Sequence, residues 1–113
     1  MIKMKIKELQ MYSYAQFMEH NKRLGKTWTP FTMTTKMLEE AGEVASVVLG
    51  LEGVKPRGVY TKEMLGRELS DLLYNIFIIA ETYSVDLDSV YQPTIDKYEE
   101  SLFKETKASK NAI

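Results

Sequence analysis

The residues best suited to chemistry are two acidic pairs, Glu40-x-x-Glu43 and Glu68-x-x-Asp71, set within or beside the apolar segments AGEVASVVLGL and LLYNIFIIA. At about 100° per residue, a spacing of three puts each pair on one face of a helix. A lone buried charge is costly, so carboxylates in such segments must be paired, neutralised or bound to metal. Two such faces opposite each other would gather four carboxylates. We therefore predict a divalent metal site inside a helical bundle.

The donor set predicts which metal the site would take. Oxygen-only ligands select hard cations such as Mg²⁺, with Mn²⁺ as the alternative. The chain has no cysteine and one histidine, His20, which excludes thiolate sites and His-rich zinc sites. Ferritin-like di-iron chemistry needs Glu-x-x-His pairs, which the acidic pairs do not provide. The alternative to a metal site is a set of solvated or salt-bridged helix faces.

Four helical stretches must position these acids. We predict an all-α, four-helix bundle-like fold in a single domain of residues 1–113, with a core of about 6–104 and a polar tail of 105–113. The predicted helices cover about residues 6–24, 33–50, 61–83 and 86–104.

Capping residues and breakers set the predicted helix ends. Gly25 and Gly50 are expected to end the first two helices, and Thr32 or Thr34 to cap the second. Asp86 or Asp88 is expected to cap the fourth helix. Pro93 then either kinks this helix or marks its true first turn.

The third predicted helix is apolar nearly all round between Leu72 and Ala80. A helix on the surface of a monomer should show a polar face. In so short a chain, we expect a second copy of the chain to cover the apolar surface of this helix. We therefore predict a homodimer or homotetramer.

Composition excludes several classes of function. The net charge is −1, from 15 basic and 16 acidic residues, which argues against a nucleic-acid-binding protein that depends on phosphate attraction. The sequence contains no apolar run of about 18 residues, so no membrane partner is expected. The first ten residues lack the apolar stretch of a secretory signal, and we expect a cytoplasmic protein.

The two acidic blocks also resemble a known family. LEEAGEV (38–44) and ELSDLLYNI (68–76), followed by VDLDSV (85–90), resemble the MazG-like all-alpha nucleoside triphosphate pyrophosphohydrolases, whose signature is EExxE followed by ExxD on neighbouring helices. The resemblance implies a MazG-type fold and an enzyme that hydrolyses a nucleoside or deoxynucleoside triphosphate to a monophosphate and pyrophosphate. Removal of aberrant nucleotides is one role for such an enzyme. The implied metal ligands are Glu40, Glu43, Glu68 and Asp71.

Four further residues are candidates for the site. Glu39 either orients or deprotonates the attacking water, as a catalytic residue, or pairs with a lysine. Lys36 either reaches a phosphate or neutralises an acid. Asn75 either contacts the sugar or base of the nucleotide or bonds to a neighbouring carboxylate. Trp28 either stacks on a base or belongs to the core.

Two cationic residues of the loop have two possible roles each, and one alternative function competes with the enzyme. Lys55 and Arg57 either clamp phosphates over the site or are solvated. The rival is a noncatalytic helical dimer that binds a nucleotide or a protein partner. Because all four acids of the signature are present, we favour the enzyme.

Overall fold

A computed structural model describes residues 3–55 and 58–111, which form four α-helices and no strand. The predicted all-α class is confirmed. None of the described helices is long and apolar enough to cross a bilayer. The helices are α1 (Ile6–Leu24), α2 (Pro30–Leu51), α3 (Lys62–Thr82) and α4 (Leu87–Asn111).

Helix α2 begins three residues earlier than predicted. Its cap is Thr29, whose hydroxyl accepts a hydrogen bond from the Thr32 backbone N–H at 3.2 Å. Pro30 occupies the first turn, where its missing N–H costs nothing and its fixed φ suits a helix. The prediction of Thr32 or Thr34 as the cap is therefore wrong, because Thr29 followed by Pro30 provides both the capping hydroxyl and a residue suited to the first turn.

The boundaries of α1 and α3 agree with the sequence. Helix α1 ends at Gly25, which has a φ of 66°, the left-handed conformation that glycine adopts without strain. Helix α3 begins after Thr61, whose hydroxyl accepts a hydrogen bond from the Met64 N–H at 3.2 Å. These caps satisfy backbone groups that would otherwise lack partners at helix ends.

Gly50 does not end α2, contrary to the prediction. The helix passes through Gly50 to Leu51, and the aromatic ring of Tyr60 lies directly against the Gly50 backbone. A Cβ at position 50 would overlap this ring. The glycine therefore makes room for the residue that leads back into α3.

The core lies where α3 packs between α1 and α2. Its buried apolar side chains are Met33, Val47, Phe77, Ile78 and Ala80. The second half of the apolar run in α3 is thus covered within one chain. Leu69 and Leu73, nearer the start of α3, each remain 47% exposed.

One buried amide connects α1 to the turn between α3 and α4. Gln10 is 1% exposed, and its Nε2 donates to Glu81 Oε2 at 2.9 Å and to the Val85 carbonyl at 2.5 Å. Its Oε1 accepts from the Leu87 N–H at 3.3 Å. Because its donor and acceptor atoms are both paired, this polar core residue stabilises the turn.

Among the described residues, helix α4 is anchored to the rest of the chain near its start. The Asp88 carboxylate accepts from the Lys7 N–H at 2.7 Å, and Asp86 Oδ1 accepts from the Asp88 N–H at 3.0 Å, so Asp86 takes the capping role. The helix runs through Pro93 to Asn111, so neither a start at Pro93 nor an end near Lys104 is correct. All side chains from residue 89 to residue 107 are exposed.

Candidate metal centre

Helices α2 and α3 bring five carboxylates together, which we call the acidic cluster: Glu39, Glu40, Glu43, Glu68 and Asp71. Each of two groups can place one oxygen per residue with all of these oxygens within 4.8 Å of one another. The groups are Glu39 with Glu40 and Glu43, and Glu40 with Glu68 and Asp71. Glu40 belongs to both, so it joins the acids of the two helices.

The five side chains of the cluster are buried to different extents, and the two most buried ones indicate what the cluster can bind. Glu40 is 6% exposed and Glu68 is half-buried, whereas Glu39, Glu43 and Asp71 are exposed. Glu40 Oε2 and Glu68 Oε2 are buried without a hydrogen-bond partner among the described residues. Unpaired buried carboxylate oxygens are costly, and a hard cation is the partner that such oxygens suit. The residues present therefore fit a divalent metal, with an exposed side open to solvent.

The carboxyl groups of Glu43 and Glu68 affect each other's charge across the two helices. A hydrogen bond with the Glu68 carboxyl raises the pKa of Glu43, and partial loss of hydration and the negative charge of Glu68 act in the same direction. Two carboxyl groups this close are held apart by repulsion unless a proton or a cation compensates. The contact is a second physical sign that the cluster is built around positive charge.

Lys36 lies against the same cluster. Its Nζ is 2.6 Å from Glu39 Oε1 and 3.2 Å from Glu40 Oε1. The hydrogen bond to Glu39, followed by that to Glu40, raises the pKa of Lys36. Lys36 thus neutralises acids in this structure, and Glu39 pairs with a lysine. Both side chains are partly exposed, which leaves them accessible to a ligand.

Asn75 and Trp28 differ in their relation to the cluster. Asn75 Nδ2 donates to the Asp71 carbonyl at 2.8 Å, which keeps the amide one turn from the acids. The half-buried Trp28 ring contacts Phe17 edge-on, with ring centroids 5.5 Å apart. Trp28 also lines a cleft of about 400 Å³ between α1 and the connector to α2. No member of the acidic cluster lines this cleft.

One contact was missed at the sequence level. The Lys55 ammonium donates to the Ser46 hydroxyl on α2, one turn beyond Glu43. Ser46 and Glu43 are the two polar residues of AGEVASVVLGL, and this shared polarity was the available signal. The loop cation is therefore held on the helix that carries three of the acids. Arg57, the other predicted loop cation, lies outside the described residues.

Comparison with known proteins gives the cluster a family context. The sequence profile of the MazG nucleotide pyrophosphohydrolase domain matches residues 28–101, which include the whole acidic cluster. The crystal structure of the Bacillus-conserved MazG protein, a nucleotide pyrophosphohydrolase, is similar with a TM-score of 0.68 and 21% identity. The similarity covers 87% of this chain and 93% of that chain, and it shows a shared fold. Among curated protein sequences, none matches significantly. Because the profile covers more than half of its residues, the chain belongs to the MazG nucleotide pyrophosphohydrolase family and is an enzyme rather than a noncatalytic module.

Proposed function

We propose that the enzyme hydrolyses nucleoside or deoxynucleoside triphosphates to a monophosphate and pyrophosphate, and that it depends on Mg²⁺ or Mn²⁺. The observation that carries the proposal is the pair of unpartnered buried oxygens on Glu40 and Glu68, which come from different helices and belong to one group of acids. Such an arrangement is unfavourable without a cation and suited to one.

The metal ligands proposed are Glu40, Glu43, Glu68 and Asp71. They offer only carboxylate oxygens, which favours Mg²⁺ or Mn²⁺ over zinc. When bound, such an ion supplies charge neutralisation at the phosphate oxygens and a lowered pKa for bound water. The exposed sides of Glu43 and Asp71 leave the phosphate chain access to the cluster from solvent.

Glu39 is the proposed catalytic residue, and Lys36 is its positioning partner. The Glu39 carboxylate is exposed and belongs to the group that includes Glu40, so it can accept a proton from a water beside the cluster. The 2.6 Å bond from Lys36 holds this carboxylate in place. The water oxygen attacks the α-phosphorus, the bond from that phosphorus to the bridging oxygen breaks, and pyrophosphate leaves.

Asn75 is proposed to contact the sugar or base. It lies one helical turn beyond Asp71, a rise of roughly 5.4 Å along α3. A nucleoside bound there would place the acids beside the α- and β-phosphates rather than the terminal one. This register explains why pyrophosphate would leave as a unit. Removal of aberrant nucleotides is the role we propose for the reaction.

A panel of triphosphates tests the proposal. Canonical and modified nucleoside and deoxynucleoside triphosphates are each incubated with Mg²⁺, and the products are separated. We expect a monophosphate and pyrophosphate in equal amounts, with no reaction in excess EDTA. We also expect an α,β-imido analogue to bind without cleavage. A nucleoside diphosphate with inorganic phosphate as the main products would contradict the proposed register.

A further inference from the structure

The loop after α2 holds a cation, Lys55, beside the acidic cluster. Its ammonium donates a hydrogen bond to the Ser46 hydroxyl on α2. At about 100° per residue, Glu39, Glu43 and Ser46 fall within about 60° of one another around this helix. Ser46 therefore continues the stripe of Glu39 and Glu43 by one turn, a rise of about 4.5 Å. The contact places the charge of Lys55 on that stripe, next to the acids.

Lys55 differs from Lys36 in what surrounds its charge. The Lys36 ammonium lies 2.6 Å from Glu39 Oε1 and 3.2 Å from Glu40 Oε1. Within the described residues, no carboxylate forms an ion pair with Lys55. The charge of Lys55 is held by a neutral hydroxyl instead, so it is available to an anion. A hydroxyl that accepts a hydrogen bond can still donate its own hydrogen, so Ser46 and Lys55 together suit a phosphate oxygen.

Helices α2 and α3 run antiparallel, which gives the site a direction. At the loop end, the Tyr60 ring lies against the Gly50 backbone. At the other end, the Thr82 hydroxyl donates to Met33 Sδ at 3.4 Å, so the end of α3 lies at the start of α2. Residues that follow the acids on α3 therefore lie toward the start of α2. Residues that follow the acids on α2 lie toward the loop.

Asn75 and Ser46 consequently lie on opposite sides of the acids. Asn75 follows Asp71 by one turn of α3, and Ser46 follows Glu43 by one turn of α2. In the proposed function, the nucleoside lies at Asn75 and the acids lie beside the α- and β-phosphates. A phosphate chain that passes the acids from that side runs toward Ser46 and Lys55.

We propose that Lys55, positioned by Ser46, binds the terminal phosphate of a nucleoside triphosphate. The inference rests on the proposed function and deepens it, since it assigns the part of the site that distinguishes a triphosphate from a diphosphate. Carboxylates repel a phosphate that lies beyond a bound cation, so a separate positive charge is needed there. A lysine ammonium on its flexible stem can move from the Ser46 hydroxyl to a phosphate oxygen. The same charge stabilises pyrophosphate as its bond to the α-phosphorus breaks.

Binding of uncleaved nucleotides tests the proposal without turnover. The probes are the α,β-imido analogues of the four common deoxynucleoside triphosphates and the matching diphosphates, each titrated by calorimetry with Mg²⁺. We expect Lys55→Ala to weaken binding of the triphosphate analogues by about 10-fold, as for one charge-assisted hydrogen bond. The diphosphates lack the terminal phosphate and should bind the variant and the wild type equally. Lys55→Arg keeps the charge and should restore most of the triphosphate affinity.

The matched control is Lys7→Ala. Lys7 is an exposed lysine that pairs with Asp86 at 3.9 Å, in the turn after α3 and at the opposite end of that helix from the loop. This variant should bind the triphosphate analogues as the wild type does. Unchanged triphosphate binding by Lys55→Ala, an equal loss for diphosphates, or a wild type that binds none of the triphosphate analogues overturns the proposal.

Product analysis separates this inference from the proposed reaction. A wild type that releases a nucleoside diphosphate and inorganic phosphate would contradict the reaction. A wild type that releases pyrophosphate, together with a Lys55→Ala variant that keeps its preference for triphosphates over diphosphates, would contradict only the role of Lys55.

Discussion

The nearby carboxyl group of Glu68 on α3 raises the pKa of Glu43 on α2 above its ordinary value. Helices α2 and α3, two of the three helices that form the core, thus approach each other at a point where their charges repel. The same contact therefore affects both stability and metal binding, and its two effects can be measured separately.

In the metal-free protein, the contribution of Glu43 to stability should fall as the pH rises above about 4.5, the ordinary pKa of a glutamate. A carboxyl group with a raised pKa binds more protons when folded, so the free energy of unfolding falls as the pH passes from the ordinary to the raised value. Glu43→Gln should remove this loss, whereas Glu105→Gln, an exposed acid on α4, should not. Thermal unfolding in EDTA over this pH range measures the difference.

Magnesium should reduce the difference in the pH dependence of stability between wild type and Glu43→Gln. The reason is that a cation compensates the repulsion that the proton otherwise relieves. Added monovalent salt should weaken the effect as well, since Glu43 is exposed. Identical pH dependence of wild type and Glu43→Gln in EDTA would rule out the Glu43–Glu68 contact as a source of instability.

Asp71→Asn should keep the fold and lose activity by about 100-fold or more, since even outer-shell changes at metal sites cost 10- to 100-fold. The amide is neutral and similar in shape, so the thermal midpoint in EDTA should not fall. Asp96→Asn, an exposed change on α4, is the control and should retain activity. Steady-state kinetics with Mg²⁺ decide the matter, and near-normal turnover by Asp71→Asn would refute a ligand role.

Gly50→Ala should destabilise the protein by about 1–3 kcal/mol, because the added methyl overlaps the Tyr60 ring. Gly66→Ala, inside α3, is the matched control. A Cβ there meets nothing within 4 Å, so alanine should stabilise the helix by roughly 0.5–1 kcal/mol. Urea unfolding of both variants measures the sign of the change in the free energy of unfolding. A stabilised Gly50→Ala would show that the Tyr60 contact is not tight.

Asn75→Ala should raise KM for a preferred nucleotide by up to about 10-fold while the Mg²⁺ requirement is unchanged, as for one lost hydrogen bond. The reason is that Asn75 lies one turn from the acids and bonds to the Asp71 carbonyl rather than to a cluster carboxylate. The measurement is KM over the triphosphate panel at several Mg²⁺ concentrations. A shift in the Mg²⁺ requirement alone would instead assign Asn75 to support of Asp71.

The sequence predicted the acidic cluster because helical periodicity is a local property. Glu40 and Glu43 share a helix face by spacing alone, and so do Glu68 and Asp71. That α2 and α3 are neighbours was implied by the resemblance to the MazG family and not by the spacing of the acids. The start of α2 differs from the predicted cap at Thr32 or Thr34, because Thr29 caps the helix and Pro30 suits its first turn.

Contacts between residues far apart in sequence could not be predicted from helical periodicity. Gln10 was unremarkable in sequence because its partners, Glu81, Val85 and Leu87, lie more than 70 residues further along the chain, at the end of α3, in the following turn and at the start of α4. Gly50 was interpreted as a helix stop because its neighbour Tyr60 comes from beyond the loop. The length of α4 past Pro93 likewise could not be derived from local propensity, which favours a break there.

All five acids lie on α2 and α3, which follow each other in the chain. Contacts between elements close in sequence form quickly, because little chain entropy is lost in closing the loop between them. We expect this helical hairpin to associate early in folding and to gather the carboxylates before α1 and α4 dock. Their mutual repulsion would then slow the step at which the hairpin closes, so Mg²⁺ should accelerate refolding as well as stabilise the folded enzyme.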